Sequence, residues 1–154
     1  FTPCYYFKSN IYKMSDALVW QLIKNNNAFL VKRERTNRAG SVQFSKESGN
    51  LLNVNSFKYS GLANSKAVGI DCTDQTITMS LKASKKAQKP NSVVKVPLRK
   101  YAKTSLKAIN AAATNQFYRA DLKSAASARY SRMYGDIRVR KGITKKAVTK
   151  HHRK

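Results

Sequence analysis

The placing of charge constrains this chain more than any other feature. From Leu81 to the end, 21 Lys and Arg stand against 2 acidic residues. A segment of net charge +19 repels itself when compact. Alone, it either meets a polyanion or stays extended. Residues 1–80 hold 10 basic and 5 acidic residues, an ordinary balance. The asymmetry predicts a core domain followed by a nucleic-acid-seeking extension. The bland alternative, a solvated basic tail, leaves that charge without a counterpart, and a total of +24 far exceeds what solubility needs. A hydrophobic content of 42% permits a modest core. No run of apolar residues reaches the length of a membrane span. Phe1 to Tyr12 is aromatic-rich but lacks the apolar centre and cleavage site of a secretory signal. Two cysteines, Cys4 and Cys72, make neither a disulfide framework nor a metal cluster. They read as reduced thiols of an intracellular protein.

Local patterns predict an α+β fold: a small antiparallel sheet with a packed N-terminal helix, and a basic helical C-terminal extension. Ser15 caps a helix with Asp16 in its first turn. Leu18, Val19, Leu22 and Ile23 share one face, Trp20 anchors the helix to a sheet, and Asn25 to Asn27 end it. Ala28–Lys32 and Val42–Phe44 are strand candidates around a basic loop, Arg33 to Gly40. Residues 51–66 read as irregular. Ala67–Cys72 and Gln75–Lys82 form the clearest strand pair, turning at Thr73-Asp74. Ile77, Met79 and Leu81 face the core, while Thr78 and Ser80 face water. Lys82 to Asn91 opens a basic linker. Pro97 suits a first helical turn. Leu98, Ala102, Leu106, Ile109 and Ala113 then line one face, with Tyr101 and Ala112 nearby, opposite a basic face. Such a helix also suits an anionic membrane surface, but its Ala-rich side fits protein packing better. Asp121 caps a further helix from Leu122 to about Tyr134, closed by Gly135. Arg129 points into its apolar arc, where an unpaired charge is costly. It either meets an anion or reaches the rim.

Residues 1–13 read either as an N-terminal extension or as translated upstream sequence and enter no fold argument; 14–82 is expected as a globular domain, 83–96 as a basic linker, 97–134 as a helical RNA-binding extension and 135–154 as a basic tail without its own fold.

Catalytic chemistry finds no constellation. His151 and His152 are adjacent ligands without a third. Asp71 and Asp74 flank a turn and read as turn residues. No glycine-rich phosphate loop occurs. Cys72 reads as a buried structural thiol. No enzyme activity, cofactor, metal, membrane or small-molecule substrate is expected. Anion recognition remains, through Lys point charges and Arg forks. Interleaved aromatics, Phe57, Tyr59, Phe117, Tyr118, Tyr130 and Tyr134, either stack on unpaired bases or pack in the core. Charge by itself does not choose between RNA and DNA.

Three ordered landmarks sharpen this reading. The first is LVWQLIKNNNAFLVKR, Leu18 to Arg33. The second is VQFSKESGNLLNVNSFKYSGLANSKAVGI, Val42 to Ile70, with Asn50, Leu51, Asn53, Ser56, Gly61 and Leu62 the most specific positions. The third is YRADLKSAASARYS, Tyr118 to Ser131, with Tyr118, Arg119, Asp121, Leu122, Ala125 and Arg129 matching. In these the chain resembles the eukaryote-specific family of cytosolic large-subunit ribosomal protein twenty-eight, distinct from the bacterial protein of the same number. The resemblance implies a non-catalytic structural component of the large subunit, on the cytoplasmic ribosome after assembly in the nucleolus. Its partners would be large-subunit rRNA and neighbouring large-subunit ribosomal proteins. A large-subunit assembly factor and a general basic nucleic-acid-binding protein are the alternatives.

Basic faces and matched segments nominate the RNA-binding residues. Arg33, Arg35, Arg38, Lys58 and Lys86 come from the first part and the linker. Arg99, Lys100, Lys103 and Lys107 lie on the first extension helix. Arg119, Lys123, Arg129 and Arg132 follow in the third landmark and its helix. Arg138, Arg140 and Lys141 open the tail.

Overall fold

The computed structural model describes residues 14–38, 40–73, 75–83, 92–99, 101–114 and 117–145. Helix α1 spans Asp16–Ile23, and the Leu18 N–H donates to Ser15 Oγ at 3.3 Å, the expected cap. The Asp16 carboxylate also accepts the Ser65 N–H at 2.8 Å, tying the helix to a distant loop. The apolar stripe, however, is not packed away. No residue of α1 is buried, and Leu18 and Leu22 are 50% and 61% exposed. Trp20 meets Phe57, with ring centroids 6.1 Å apart.

Strands β1 (Leu30–Arg33) and β2 (Val42–Ser45) pair antiparallel, in the register Val31↔Phe44 and Arg33↔Val42. A bridge from Phe44 to Val54 extends this ribbon, leaving Val31, Phe44 and Val54 exposed. The second sheet runs β3 (Val68–Thr73), β4 (Thr76–Lys82), β5 (Val93–Pro97), all antiparallel. β5 occupies the end of the expected linker. Val93, Val94 and Val96 favour extended backbone. Pro97 ends an edge strand, where its missing N–H breaks no ladder bond, so it does not start a helix. Leu98 follows the strand instead, its N–H donating to the Ile77 carbonyl at 2.8 Å.

Ile77 and Met79 are buried as expected, but Ser80 is buried too. The irregular segment after β2 covers that other face. A Cβ on Gly69 would lie 2.3 Å from Ser80 Oγ and 3.1 Å from Gly49 Cα. A Cβ on Gly61 would lie 2.1 Å from the Ser48 carbonyl oxygen. Chain segments this close admit only glycine. Within this segment Glu47 is buried, its Oε2 accepting from Ser60 Oγ (3.1 Å) and the Leu62 N–H (3.3 Å).

Helix α2 is Ala102–Thr114 and α3 is Lys123–Arg140. One core joins Leu51, Val68, Ile70, Ile77 and Met79 to Ile109, Leu122, Ala126, Tyr130 and Ile137. That core draws on residues from both sides of the expected boundary at residue 82. The helical part has a basic exterior, and its inner faces complete the sheet's core. The α+β class stands.

Three expected boundaries move. Asp121 does not cap α3. It lies in a 3-10 turn, Ala120–Leu122, and its carboxylate is taken by Arg119. Gly135 does not close α3, because buried Tyr130 and Ile137 hold the helix on either side of it. The stop is Gly142, at φ +69°. Its N–H donates to the Val139 carbonyl (3.0 Å) and that of Ile143 to the Arg138 carbonyl (3.0 Å). This is the left-handed glycine cap that ends many helices. Residues 135–140, expected in an unfolded tail, are thus helical.

Candidate nucleic-acid interface

Among the described residues Arg119, Arg129 and Lys82 turn inward onto backbone carbonyls. β3 bonds β4 along one edge, for example through the Lys82 N–H to the Ala67 carbonyl. Alternation sends the carbonyls of Lys66 and Ile70 to the opposite edge. Arg119 Nη1 donates to the Lys66 carbonyl at 2.9 Å, and Arg129 Nε to that of Ile70 at 2.8 Å. Arg119 also donates to the Lys58 carbonyl (2.8 Å) and forks both Asp121 oxygens at 2.9 Å. Arg129 Nη1 reaches the Leu51 carbonyl (3.1 Å) and Asn53 Oδ1 (3.3 Å), Asn53 sitting at φ +57°. Asp71 adds a longer contact to Arg129, at 3.8 Å. Lys82 Nζ donates to the carbonyls of Gly61, Leu62 and Asn64 at 2.8–3.2 Å.

Arg119 and Arg129, both expected to bind RNA, thus have internal partners in this fold. Arg119 and Arg129 are clamps that cover the free edge of β3 and hold the irregular segment. A buried unpaired guanidinium would be costly, and satisfied carbonyls resolve that. Electrostatics agree. Hydrogen bonds from Arg119 hold the Asp121 carboxyl below its ordinary range. Burial lowers the Lys82 ammonium, with Asp16 and Glu47 opposing. Burial raises the Tyr118 phenol, whose hydroxyl lies against the backbone of Ala67 and Lys82.

The remaining candidates among the described residues face solvent. Arg33 ends β1, and Arg35 and Arg38 stand exposed in the β1–β2 connection. Lys103 and Lys107 sit one turn apart on α2, opposite buried Ser105, Ile109 and Ala113. Arg99 is exposed ahead of α2 rather than on it. Lys123 starts α3, and Arg138, Arg140 and Lys141 are exposed at its end. There they also complement the helix dipole. Arg132 is 85% exposed, and its contact with Asp136 at 3.9 Å is too solvated to occupy it. Lys58 is exposed, its Nζ 5.5 Å from the Tyr59 ring centroid. The fold brings Arg99 and Lys141 together on the rim of a groove of about 250 Å³ floored by Ile77, Leu98, Tyr130 and Tyr134. Lys86, Lys100, Asp74, His151, His152 and residues 1–13 and 146–154 lie outside the described residues.

The aromatics divide in the same way. Tyr130 is buried, stacked 6.0 Å from Tyr134, and Tyr118 is held internally. Phe117 is exposed, and so is Tyr101, which the helical wheel placed near the apolar face. Among the described residues no group of three or more His, Cys, Asp or Glu converges as a metal site, and no helix is long and apolar enough to cross a membrane.

The clamps connect the second and third landmarks: Arg129 grips Leu51 and Asn53, and Arg119 grips Lys58 and Lys66. The Ribosomal L28e protein family model matches residues 18–135, which contain both landmarks and every clamp contact. The chain belongs to the Ribosomal L28e protein family. Similar relatives are each described as large ribosomal subunit protein eL28. That of Schizosaccharomyces pombe is 32% identical over 134 residues, covering 84% of this chain and 98% of the relative. That of Dictyostelium discoideum is 33% identical over 142 residues, covering 87% and 98%. That of Caenorhabditis elegans is 45% identical over 89 residues, covering 55% and 68%. The region shared with the Ribosomal L28e family holds nearly the whole core and ends inside α3, two residues short of buried Ile137.

Proposed function

We propose that this chain is a structural constituent of the large subunit of the cytosolic ribosome, binding rRNA by neutralising phosphates and performing no chemistry of its own. The observation that carries the reading is the partition of its cations. Arg119, Arg129 and Lys82 are engaged by carbonyls, whereas Arg33, Arg35, Arg38, Lys103, Lys107, Arg132, Arg138, Arg140 and Lys141 stand open to solvent. A surface this unbalanced suits a packed polyanion. Lys58, Arg99 and Lys123 join that set, as do Lys86 and Lys100 by charge. The apolar residues left open on α1 and the β1–β2 ribbon support neighbouring large-subunit proteins there. Assembly in the nucleolus belongs to the same proposal.

Lys103→Gln with Lys107→Gln tests one face. Both side chains are exposed, so stability should stay within about 0.5 kcal/mol of wild type. Binding to deproteinised large-subunit rRNA should weaken. The slope of log K against log salt should fall by roughly 0.7–0.9 for each phosphate no longer neutralised. An unchanged slope would remove α2 from the RNA-binding surface.

A further inference from the structure

Phe117 combines two costly features, a strained backbone and an exposed ring. Its backbone sits at φ +50°, where a bulky L side chain crowds its own carbonyl. Its ring is 90% exposed, so the strain gains no core packing. Such conformations persist where surrounding contacts over-determine them, and they cluster at binding sites. Here the determining contacts follow directly in the chain. The Tyr118 hydroxyl accepts the Ala67 N–H at 3.2 Å and also meets the Lys82 carbonyl. The Arg119 N–H donates to the Ala113 carbonyl at 3.0 Å, while its guanidinium holds Lys58, Lys66 and Asp121. The ring therefore stands on a pinned base. Lys66 Nζ lies 5.7 Å from the Tyr118 ring centroid, and the nearby Asp121 is already engaged by Arg119.

We propose that Phe117 is a stacking platform for an unpaired base of rRNA, an inference that rests on the RNA-binding role proposed above. A nucleotide offers a flat apolar face beside an anionic backbone, which matches an exposed ring next to Tyr118, whose own ring Lys66 approaches. An apolar protein pocket would match the ring and leave Lys66 unanswered. Stacking of this kind tolerates any base.

The test compares the full chain with Phe117→Asn and Phe117→Trp on deproteinised large-subunit rRNA across a salt series. Thermal stability and ultraviolet crosslinking are followed in parallel. Asn tolerates the left-handed region, so F117N should melt no lower than wild type. It should bind rRNA about 5- to 150-fold more weakly, the range for removing one stacked base. Its salt slope should match wild type, because every neutralised phosphate keeps its cation. F117W should bind like wild type. A crosslink should join Phe117 to a nucleotide. F117N that melts lower would make Phe117 a structural residue and overturn the proposal. F117N that binds rRNA like wild type, or that gives up only a protein neighbour, would overturn it while leaving RNA binding intact. Wild type that fails to bind rRNA would overturn the RNA-binding role itself.

Discussion

Arg129→Met separates a structural clamp from a phosphate ligand. Met preserves the apolar stem but removes every donor. Arg129 makes one bond to the Ile70 carbonyl (2.8 Å), one to the Leu51 carbonyl (3.1 Å) and one to Asn53 Oδ1 (3.3 Å). A hydrogen bond to a charged group contributes roughly 1.5–3 kcal/mol. The three share one guanidinium, so they do not add. The Asp71 contact, at 3.8 Å with that carboxylate 50% exposed, contributes almost nothing. The Met variant should therefore lose about 2–4 kcal/mol, a large share of the roughly 5–15 kcal/mol that holds a typical domain. With a urea slope of about 2 kcal/mol per molar, the midpoint should fall by roughly 1–2 M at unchanged slope. Far-ultraviolet circular dichroism follows the unfolding, and Trp20, the single tryptophan, gives a second probe. Arg129→Lys can serve fewer acceptors and should fall between. A midpoint equal to wild type together with weakened rRNA binding would refute the clamp and return Arg129 to the RNA surface.

Two glycines should respond in opposite directions. Gly61→Ala puts a Cβ 2.1 Å from the Ser48 carbonyl oxygen, so backbone must shift, and a loss above about 2 kcal/mol is expected by denaturation. Gly135→Ala meets nothing within 4 Å inside α3 and should stabilise by about 0.5–1 kcal/mol, whereas a loss would contradict a continuous helix there. Asp121→Asn should change the acid limb. The folded carboxyl lies below its ordinary range, so its stabilisation is full above about pH 4 and fades as pH falls through the lowered folded value. The side chain is 43% exposed, so the effect should stay within about 1 kcal/mol, and the two stability curves should converge at low pH.

The elements legible in the sequence were those with local causes. Ser15 and Asp16 announced α1, and β3–β4 showed clear strand composition. Lys103 and Lys107 fell opposite Ile109 and Ala113 by helical spacing alone. β5 was obscured because Val93, Val94 and Val96 are all substantially exposed and show no alternation. Gly135 misled because tertiary packing of Tyr130 and Ile137 overrides the local cost of glycine. Arg129's place in the apolar arc was visible, but its partners lie 59 and 78 positions away on irregular backbone and a strand edge. Lys82 and Arg119 were hidden for the same reason. Nothing local reveals which carbonyls a sheet edge leaves open. Charge alone therefore treats a clamp and a ligand alike.

The central claim is a permanent place in the large subunit. Lysate sedimented through a sucrose gradient, with this chain quantified in every fraction with and without mild ribonuclease, tests it directly. The account predicts near-equimolar chain in large subunits, monosomes and polysomes, with the polysomal part collapsing to monosomes after digestion. Chain confined to nuclear precursor particles would contradict it in favour of an assembly factor. Chain absent from all ribosomal fractions would leave only a general binder of polyanions.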